Sequence, residues 1–171
     1  MGNFTRQDIE SKLQTACISF EIFEHDAVFT TADVSKLKAP IPGHDTKNLF
    51  LRDEKRTRYI LVCVRAETRV DLKTLGKQLQ IKGLTFCSAE DLLALLGIYP
   101  GSVALFALIN DSQGLVQGYL DDSKPEDELI QNHPLENTAT VVLSVRDLLR
   151  FAEGEMKHTI IRISVPTKTS A

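Results

Sequence analysis

Between Leu92 and Ile109 the chain runs for 18 residues without a charged side chain. About 18 to 20 uncharged, mostly apolar residues is the length at which a helix can cross a bilayer, so this run constrains the fold more than any other. Its middle holds Gly97, Pro100, Gly101 and Ser102, which would break or kink a continuous helix. The run is therefore expected to form a helix, a turn and a buried strand of one folded core, with no membrane partner. Of 171 residues, 43% are hydrophobic and 25% charged, the balance of an ordinary globular domain. That length suits one domain, expected over residues 1–166, followed by a frayed tail at 167–171.

Three hydroxyl residues stand three positions before an acid: Thr5 before Asp8, Ser88 before Asp91 and Ser144 before Asp147. Each pair can cap a helix start. The first helix would put Ile9, Leu13 and Cys17 on one face, with Phe4 stapled on Ile9; the second would end at Gly97, and the third would run through Glu153 and close at Gly154. Further helices are expected over 31–37 and 71–80. Strands are expected over 20–25, 47–53, 59–66, 84–87, 103–109, 115–120, 139–143 and 158–165. The polar segment 54–58 reads as a hairpin turn, and 110–114, ending in Gly114, as a second one. Interspersed helices and hairpins predict an α+β single domain with a mixed, mostly antiparallel central sheet flanked by helices.

The net charge of −3 announces neither a nucleic acid nor a membrane by field strength. Its distribution is uneven. Between 52 and 82 nine basic residues face four acidic ones, net +5, which leaves −8 for the rest of the chain. A solvated, mixed-charge face is the plain reading, and a surface that follows a phosphate backbone is the sharper one. Cys17, Cys63 and Cys87 are widely spaced and read as reduced, buried structural thiols. Arg6, Asp8 and Glu10 interrupt the place where a signal peptide needs an apolar core, so a cytoplasmic location is expected.

The sequence holds no phosphate-binding Gly-rich loop, no G-x-S-x-G and no H-E-x-x-H. His25, His44, His133 and His158 are far apart in sequence, and no metal and no cofactor is expected. Two clusters remain. Gly43-His44-Asp45-Thr46-Lys47-Asn48-Leu49-Phe50-Leu51 and Asn132-His133-Pro134-Leu135-Glu136-Asn137-Thr138-Ala139-Thr140 each set polar, ionisable residues at the mouth of an apolar strand, where active sites tend to sit. By pattern alone the preferred reading is a strand start and a turn that happen to be polar.

Those two segments, with Pro100-Gly101-Ser102-Val103 continuing to 106–111, resemble the prolyl-tRNA editing domains of the YbaK/ProX type, and more narrowly the freestanding Ala-tRNA(Pro) deacylases. The resemblance runs from about Ile9 to Phe151 with the motifs in the same order. It implies the YbaK/aminoacyl-tRNA synthetase-associated domain fold and a trans-editing hydrolase that cleaves the ester of proline tRNA wrongly charged with alanine. A second hydrolytic site is needed because one methylene discriminates by only about 1 to 3 kcal/mol in a binding pocket.

The resemblance also implies roles. Lys47, with Asn48 beside it, would hold the terminal adenosine and place the ester. An ordinary lysine, with a pKa of about 10.4, stays an ammonium and is no base at neutral pH. His133 would line the pocket and help set which side chain fits. His44, Thr46, Gly101, Ser102, Asn137 and Thr138 would bind substrate; separately, the net +5 of 52–82 just after the Lys47-Asn48 strand leads us to expect Arg56 and Arg58 beside the pocket, meeting acceptor-stem phosphates. Aminoacylated tRNA(Pro) is the implied partner, and prolyl-tRNA synthetase is a further one to test. The chain departs from the family loop Gly-x-x-x-Pro at Leu105, which removes a rigidifying ring. Two other readings stay open: a deacylase of Cys-tRNA(Pro) or another small aminoacyl group, and a non-catalytic tRNA-binding module of the same fold.

Overall fold

The computed structural model describes residues 3–27 and 40–168, so the helix expected over 31–37 lies outside the described residues. Helix α1 (Arg6–Thr15) starts where the Thr5 hydroxyl accepts from Asp8 N–H and the Asp8 carboxylate accepts from Thr5 N–H. Ile9 and Leu13 are buried as expected. Cys17 is not part of that face: the helix ends two residues earlier, and Cys17 turns into the left-handed region (φ 52°) and is exposed. Strand β1 (Glu21–Glu24) follows.

Strands β2 (Thr46–Arg52) and β3 (Tyr59–Arg65) pair antiparallel, with Thr46 opposite Arg65 and Arg52 opposite Tyr59. The expected hairpin joins them, its Asp53 carboxylate accepting from Thr57 N–H (2.7 Å) and Arg58 N–H (3.1 Å). Helix α2 (Leu72–Gln78) is capped by Asp71, and the short β4 (Thr85–Phe86) pairs with the end of β2. Helix α3 (Ala89–Leu96) has the Ser88/Asp91 capping box and stops at Gly97 (φ 64°). Strands β5 (Val116–Asp121), β6 (Leu129–Asn132) and β7 (Ala139–Ser144) come next, then α4 (Val145–Phe151), a π-turn over Ala152–Met156, and β8 (Ile161–Ile163).

The strands form two sheets instead of one. A five-stranded sheet has the order β4-β2-β3-β5-β8, with β3–β5 and β5–β8 parallel, and a three-stranded antiparallel sheet has the order β1-β7-β6. The pairing is mixed and mostly antiparallel, as expected. One face of the larger sheet packs Leu51, Ile60 and Val62 against Leu75 of α2. The other face, with Phe50, Leu61 and Cys63, meets the main core, where Phe106 and Phe151 touch edge to face at 5.5 Å.

The strand expected over 103–109 is a 3-10 helix, Leu105–Asn110. Leu105 to Ile109 are buried on every side, and a fully buried apolar run has no periodicity to tell strand from helix. Consequently 110–114 is no hairpin. It leads to β5, whose partners are β3 and β8, and the Asp111 carboxylate receives Leu115 N–H and Val116 N–H (3.0 and 2.7 Å). Strand β6 was not expected at all. Gly154 does not end the third capped helix; the chain turns at Lys157 (φ 60°). The tail is tied down at its start, where Thr167 pairs with Val70 and Lys168 N–H donates to Arg69 O (2.8 Å). No helix among the described residues is long and apolar enough to cross a membrane.

The two sheets meet where the chain leading into β2 runs beside β6. His44 N–H donates to Leu129 O (2.8 Å), and Gln131 N–H donates to His44 O (3.0 Å), a parallel bridge between His44 and Ile130. The Thr46 hydroxyl donates to Gln131 O (2.6 Å). The Gln131 side-chain amide reaches Ile41 O, Pro42 O and Gly43 O at 3.0, 3.2 and 3.1 Å. Gly43 has φ +81°, and a Cβ there would lie 2.8 Å from Leu129 O. Gly43→Ala should therefore lose at least about 1–2 kcal/mol in chemical denaturation from left-handed strain alone. Gly154, with nothing within 4 Å of an added Cβ, should tolerate Gly154→Ala within about 0.5 kcal/mol. Equal stabilities for the two variants would show that the junction is not closely fitted.

Candidate active site at the junction of the two sheets

The bridge between β2 and β6 brings the two polar clusters of the sequence together. Asp45 precedes β2, His133 follows β6, and the two interact electrostatically. His133 Nδ1 lies 3.1 Å from Ala139 O. A carbonyl can only accept, so Nδ1 carries the proton, and in the neutral ring the lone pair sits on Nε2. Burial lowers the His133 pKa below the ordinary value, and a charge on His25 would lower it further; Ala139 O and Asp45 oppose these effects. Burial acts on Asp45 in the opposite sense and raises its pKa, against the Thr46 N–H and His133. In each case the low-polarity junction disfavours the charged form.

His25 completes the cluster from β1's end. Its ring centroid lies 6.3 Å from that of His133. Nδ1–H donates to Asp26 O (2.8 Å), and Nε2 meets Thr140 Oγ1 (2.9 Å). Sequence reasoning missed His25, Thr140, Gln131 and the role of Asp45. Asp45 and Thr140 lay inside the motifs that carried the resemblance, whereas His25 and Gln131 had no local signal.

Strand alternation divides the remaining residues. Phe50, Cys63 and Leu61 face the main core, so Asn48, opposite Cys63, and Thr46 share that face. Lys47 stands on the other face, in line with Leu49 and Leu51, which pack toward α2. Lys47 and Asn48 are thus neighbours in sequence whose side chains leave in opposite directions. Asn48 Oδ1 is buried without a hydrogen-bond partner among the described residues. Lys47 is half-buried, and no carboxylate among the described residues pairs with it. A half-buried ammonium without a counter-charge is suited to an anionic or polar ligand.

His44 is at the rim. Its Nε2 lies 3.2 Å from Glu128 Oε1, the same carboxylate oxygen that receives Arg65. Asn137 is half-buried in the loop after His133. Thr138 is exposed; its hydroxyl donates to Glu136 (2.7 Å), and its carbonyl accepts from His25 N–H (3.0 Å). Gly101 (φ 93°) and Ser102 occupy the turn after α3, where Ser102 N–H donates to Tyr99 O (3.1 Å). Among the described residues no hydrogen bond joins that turn to 44–48 or to His133. Leu105 is fully buried at the start of the 3-10 helix. A proline is tolerated in the first turn of a helix, and here a leucine side chain packs into the core instead.

Arg56 and Arg58 are at the far end of β2 from Lys47, about 20 Å away for six residue steps of strand. Arg58 Nη1 donates to Leu79 O and Gln80 O (3.4 and 3.0 Å) at the end of α2. Arg56 Nη1 is 3.9 Å from Asp91 Oδ1 on α3. The arginines therefore do not border the His133 cluster, and they leave opposite sides of the hairpin. Burial pushes the Cys63 thiol up to about 11 and the Cys87 thiol up to about 12. Both stay thiols at neutral pH, as structural cysteines do.

Residues 25–151 match the aminoacyl-tRNA editing domain family. The prolyl-tRNA editing protein ProX of Acetoanaerobium sticklandii is 34% identical over 149 residues, covering 87% of this chain and 91% of its own length. The prolyl-tRNA synthetase associated domain-containing protein 1 of Danio rerio is 35% identical over 161 residues, covering 93% of this chain and 86% of its own. The fold is shared with a candidate trans-editing enzyme for prolyl tRNA synthetase, at a TM-score of 0.67 and 17% identity, over 98% of this chain and 100% of that one. The chain belongs to the aminoacyl-tRNA editing domain family, in its YbaK/ProX-type prolyl-tRNA editing group.

Proposed function

We propose that the protein is a trans-editing deacylase that hydrolyses Ala-tRNA(Pro) in the cytoplasm. Water attacks the ester carbonyl, the bond to the ribose oxygen breaks, that oxygen leaves with a proton, and alanine and tRNA(Pro) are released. The observation that carries this reading is the imidazole of His133: half-buried, held in one tautomer by Ala139 O, and favoured in its neutral form. Such a ring offers Nε2 as an acceptor, for the α-ammonium of the aminoacyl group or for a proton of the water.

Lys47 holds the terminal adenosine and places the ester, and the Asn48 carboxamide binds from the other face of β2. His44, Thr46, Asn137 and Thr138 line the approach to the junction, and Gly101 and Ser102 supply backbone groups from the turn after α3. Alanine fits where proline does not, and prolyl-tRNA synthetase is the source of the mischarged substrate and a candidate partner. The deacylase of Cys-tRNA(Pro) differs only in side-chain fit, so comparing hydrolysis of Ala-, Cys-, Ser- and Pro-charged proline tRNA separates the two readings. An unaltered ester in all four assays would leave the non-catalytic module.

Lys47→Ala should lower deacylation on the order of 100-fold through lost positioning. Its stability should stay within about 0.5 kcal/mol, because no partner is lost. Wild-type turnover by this variant would reduce Lys47 to a surface cation.

For His133 the sign runs toward acid. Its folded pKa lies below the ordinary value of about 6.5, so the folded state binds fewer protons and stability is lost as pH falls from about 6.5. The acid limb of kcat/KM against pH should have its midpoint below about 6.5. His133→Gln should remove that limb and lessen the acid loss of stability. A limb unchanged in the variant would assign it to another group.

A further inference from the structure

Two carboxylates at the junction, Glu128 and Asp45, have different surroundings. Glu128 is compensated: one of its oxygens receives Arg65, and His44 Nε2 lies 3.2 Å from the same atom. Asp45 pairs with no lysine or arginine among the described residues. Its carboxylate feels the Thr46 N–H, the His133 ring and, with the same sign of charge, Glu67. Its place is set from both sides. Ala66 N–H donates to Asp45 O (3.1 Å), one step beyond the Thr46–Arg65 pair, and the neighbouring His44 is bridged to Ile130 of β6. A half-buried carboxylate in that position has lost water and gained the Thr46 N–H, but no cation. It favours a ligand that brings a positive charge.

His133 supplies the second half of the argument. Its Nδ1–H is committed to Ala139 O, which leaves the lone pair of Nε2 as the acceptor of the neutral ring. One lone pair cannot hold the α-ammonium of an aminoacyl ester and also take a proton from the attacking water. In such an ester the α-nitrogen is two bonds from the carbonyl carbon that water attacks. The group that meets the ammonium and the group that meets the water must therefore be neighbours. Asp45 and His133 interact across the junction, and burial keeps the ring on the neutral side. The two groups thus differ in kind: an anion suited to a cation, and a neutral base suited to water.

We propose that Asp45 is the counter-ion of the substrate's α-ammonium, so that a free α-amino group is a requirement of this site and His133 Nε2 is left to the water. The inference rests on the deacylase reading and divides between two residues what that reading gives to one. It also names a class of ester that the site rejects. An N-acylated aminoacyl-tRNA, N-acetylated or peptidyl, carries an amide in place of the ammonium. Against Asp45 that amide brings no positive charge, and the carboxylate stays uncompensated with more of its water displaced. Selection by charge at the α-nitrogen is independent of selection by side-chain size, and it acts on every aminoacyl group alike.

The test compares Ala-tRNA(Pro) with N-acetyl-Ala-tRNA(Pro) on wild type, Asp45→Asn and Asp45→Glu. Assays are run below about pH 7, where an α-amine with a pKa of about 7.7 is mostly ammonium. Wild type should favour the free amine by about 10- to 100-fold in kcat/KM, the size of one charge-assisted hydrogen bond. In Asp45→Asn, whose carboxamide oxygen can still accept the Thr46 N–H, that ratio should fall toward one, mostly through KM on Ala-tRNA(Pro). Asp45→Glu should restore part of it. Equal hydrolysis of the two esters by wild type overturns the proposal whatever the variants do. So does a ratio unchanged in Asp45→Asn, or an equal loss on both esters, which would make Asp45 a support for His133 alone. If wild type hydrolyses neither ester, the deacylase reading fails by itself. Calorimetric binding of the 3′-alanylamide of 3′-amino-3′-deoxyadenosine and of its N-acetyl form then decides the role of Asp45. The free amine should bind wild type more tightly and lose that preference in Asp45→Asn; no preference in wild type overturns the counter-ion.

Discussion

The parallel bridge between His44 and Ile130 is the contact on which the site depends. It is short, but with the Thr46 hydroxyl on Gln131 O it sets the strand that carries Asp45, Thr46, Lys47 and Asn48 against the strand that delivers His133. The Gln131 amide on Ile41, Pro42 and Gly43 carbonyls holds the entering chain. A single hydrogen bond contributes only about 1 kcal/mol net, yet a buried amide left unpaired costs about 1 to 3. The junction is therefore defined less by what its bonds add than by the penalty for any register that leaves them unmade. Gly43 follows from the same closeness, since Leu129 O occupies the space of a side chain.

Burial at that junction has two effects with one cause. It lowers the pKa of His133 and raises that of Asp45, because each charged form has lost water. The pair therefore resists becoming a plain ion pair. Asp45 still attracts a proton on His133, and His25 still repels one, so the imidazole is balanced between a carboxyl and a second ring.

Much of this was readable from local pattern. The capping pairs at Thr5 and Ser88 are full capping boxes, and at Ser144 the hydroxyl caps Asp147 N–H. The β2–β3 hairpin follows from two apolar strands around a polar turn. Errors fall where the deciding partner is distant. Leu105 to Ile109 has no polar side to mark a period, and its 3-10 form depends on being enclosed. The parallel partners of β5 lie on β3 and β8, far along the chain, so adjacency to 103–109 suggested a hairpin that does not exist. Strand β6 is four residues long and follows an acidic stretch; only its pairing with β7 and the His44 bridge makes it a strand. The resemblance supplied Lys47, Asn48 and His133, whereas His25 needed β1 to pair with β7 before it could approach the ring of His133.

The alternation of β2 also divides the protein's chemistry. On one face Thr46 and Asn48 turn toward the core and the strand leading to His133, where buried polar atoms suit a small, partly neutral group. On the other, Lys47 faces the side covered by α2, where cations are exposed and largely unopposed. An aminoacyl-tRNA has the same division, a small ester at the end of a long polyanion. A net charge of −3 does not prevent this, because at physiological salt fields are screened beyond about 8 Å. A strand one residue out of register would exchange the two faces, moving the ammonium into the core and the carboxamide to the surface. The bridge at His44 and the departure of Lys47 and Asn48 to opposite faces are for that reason one structural fact.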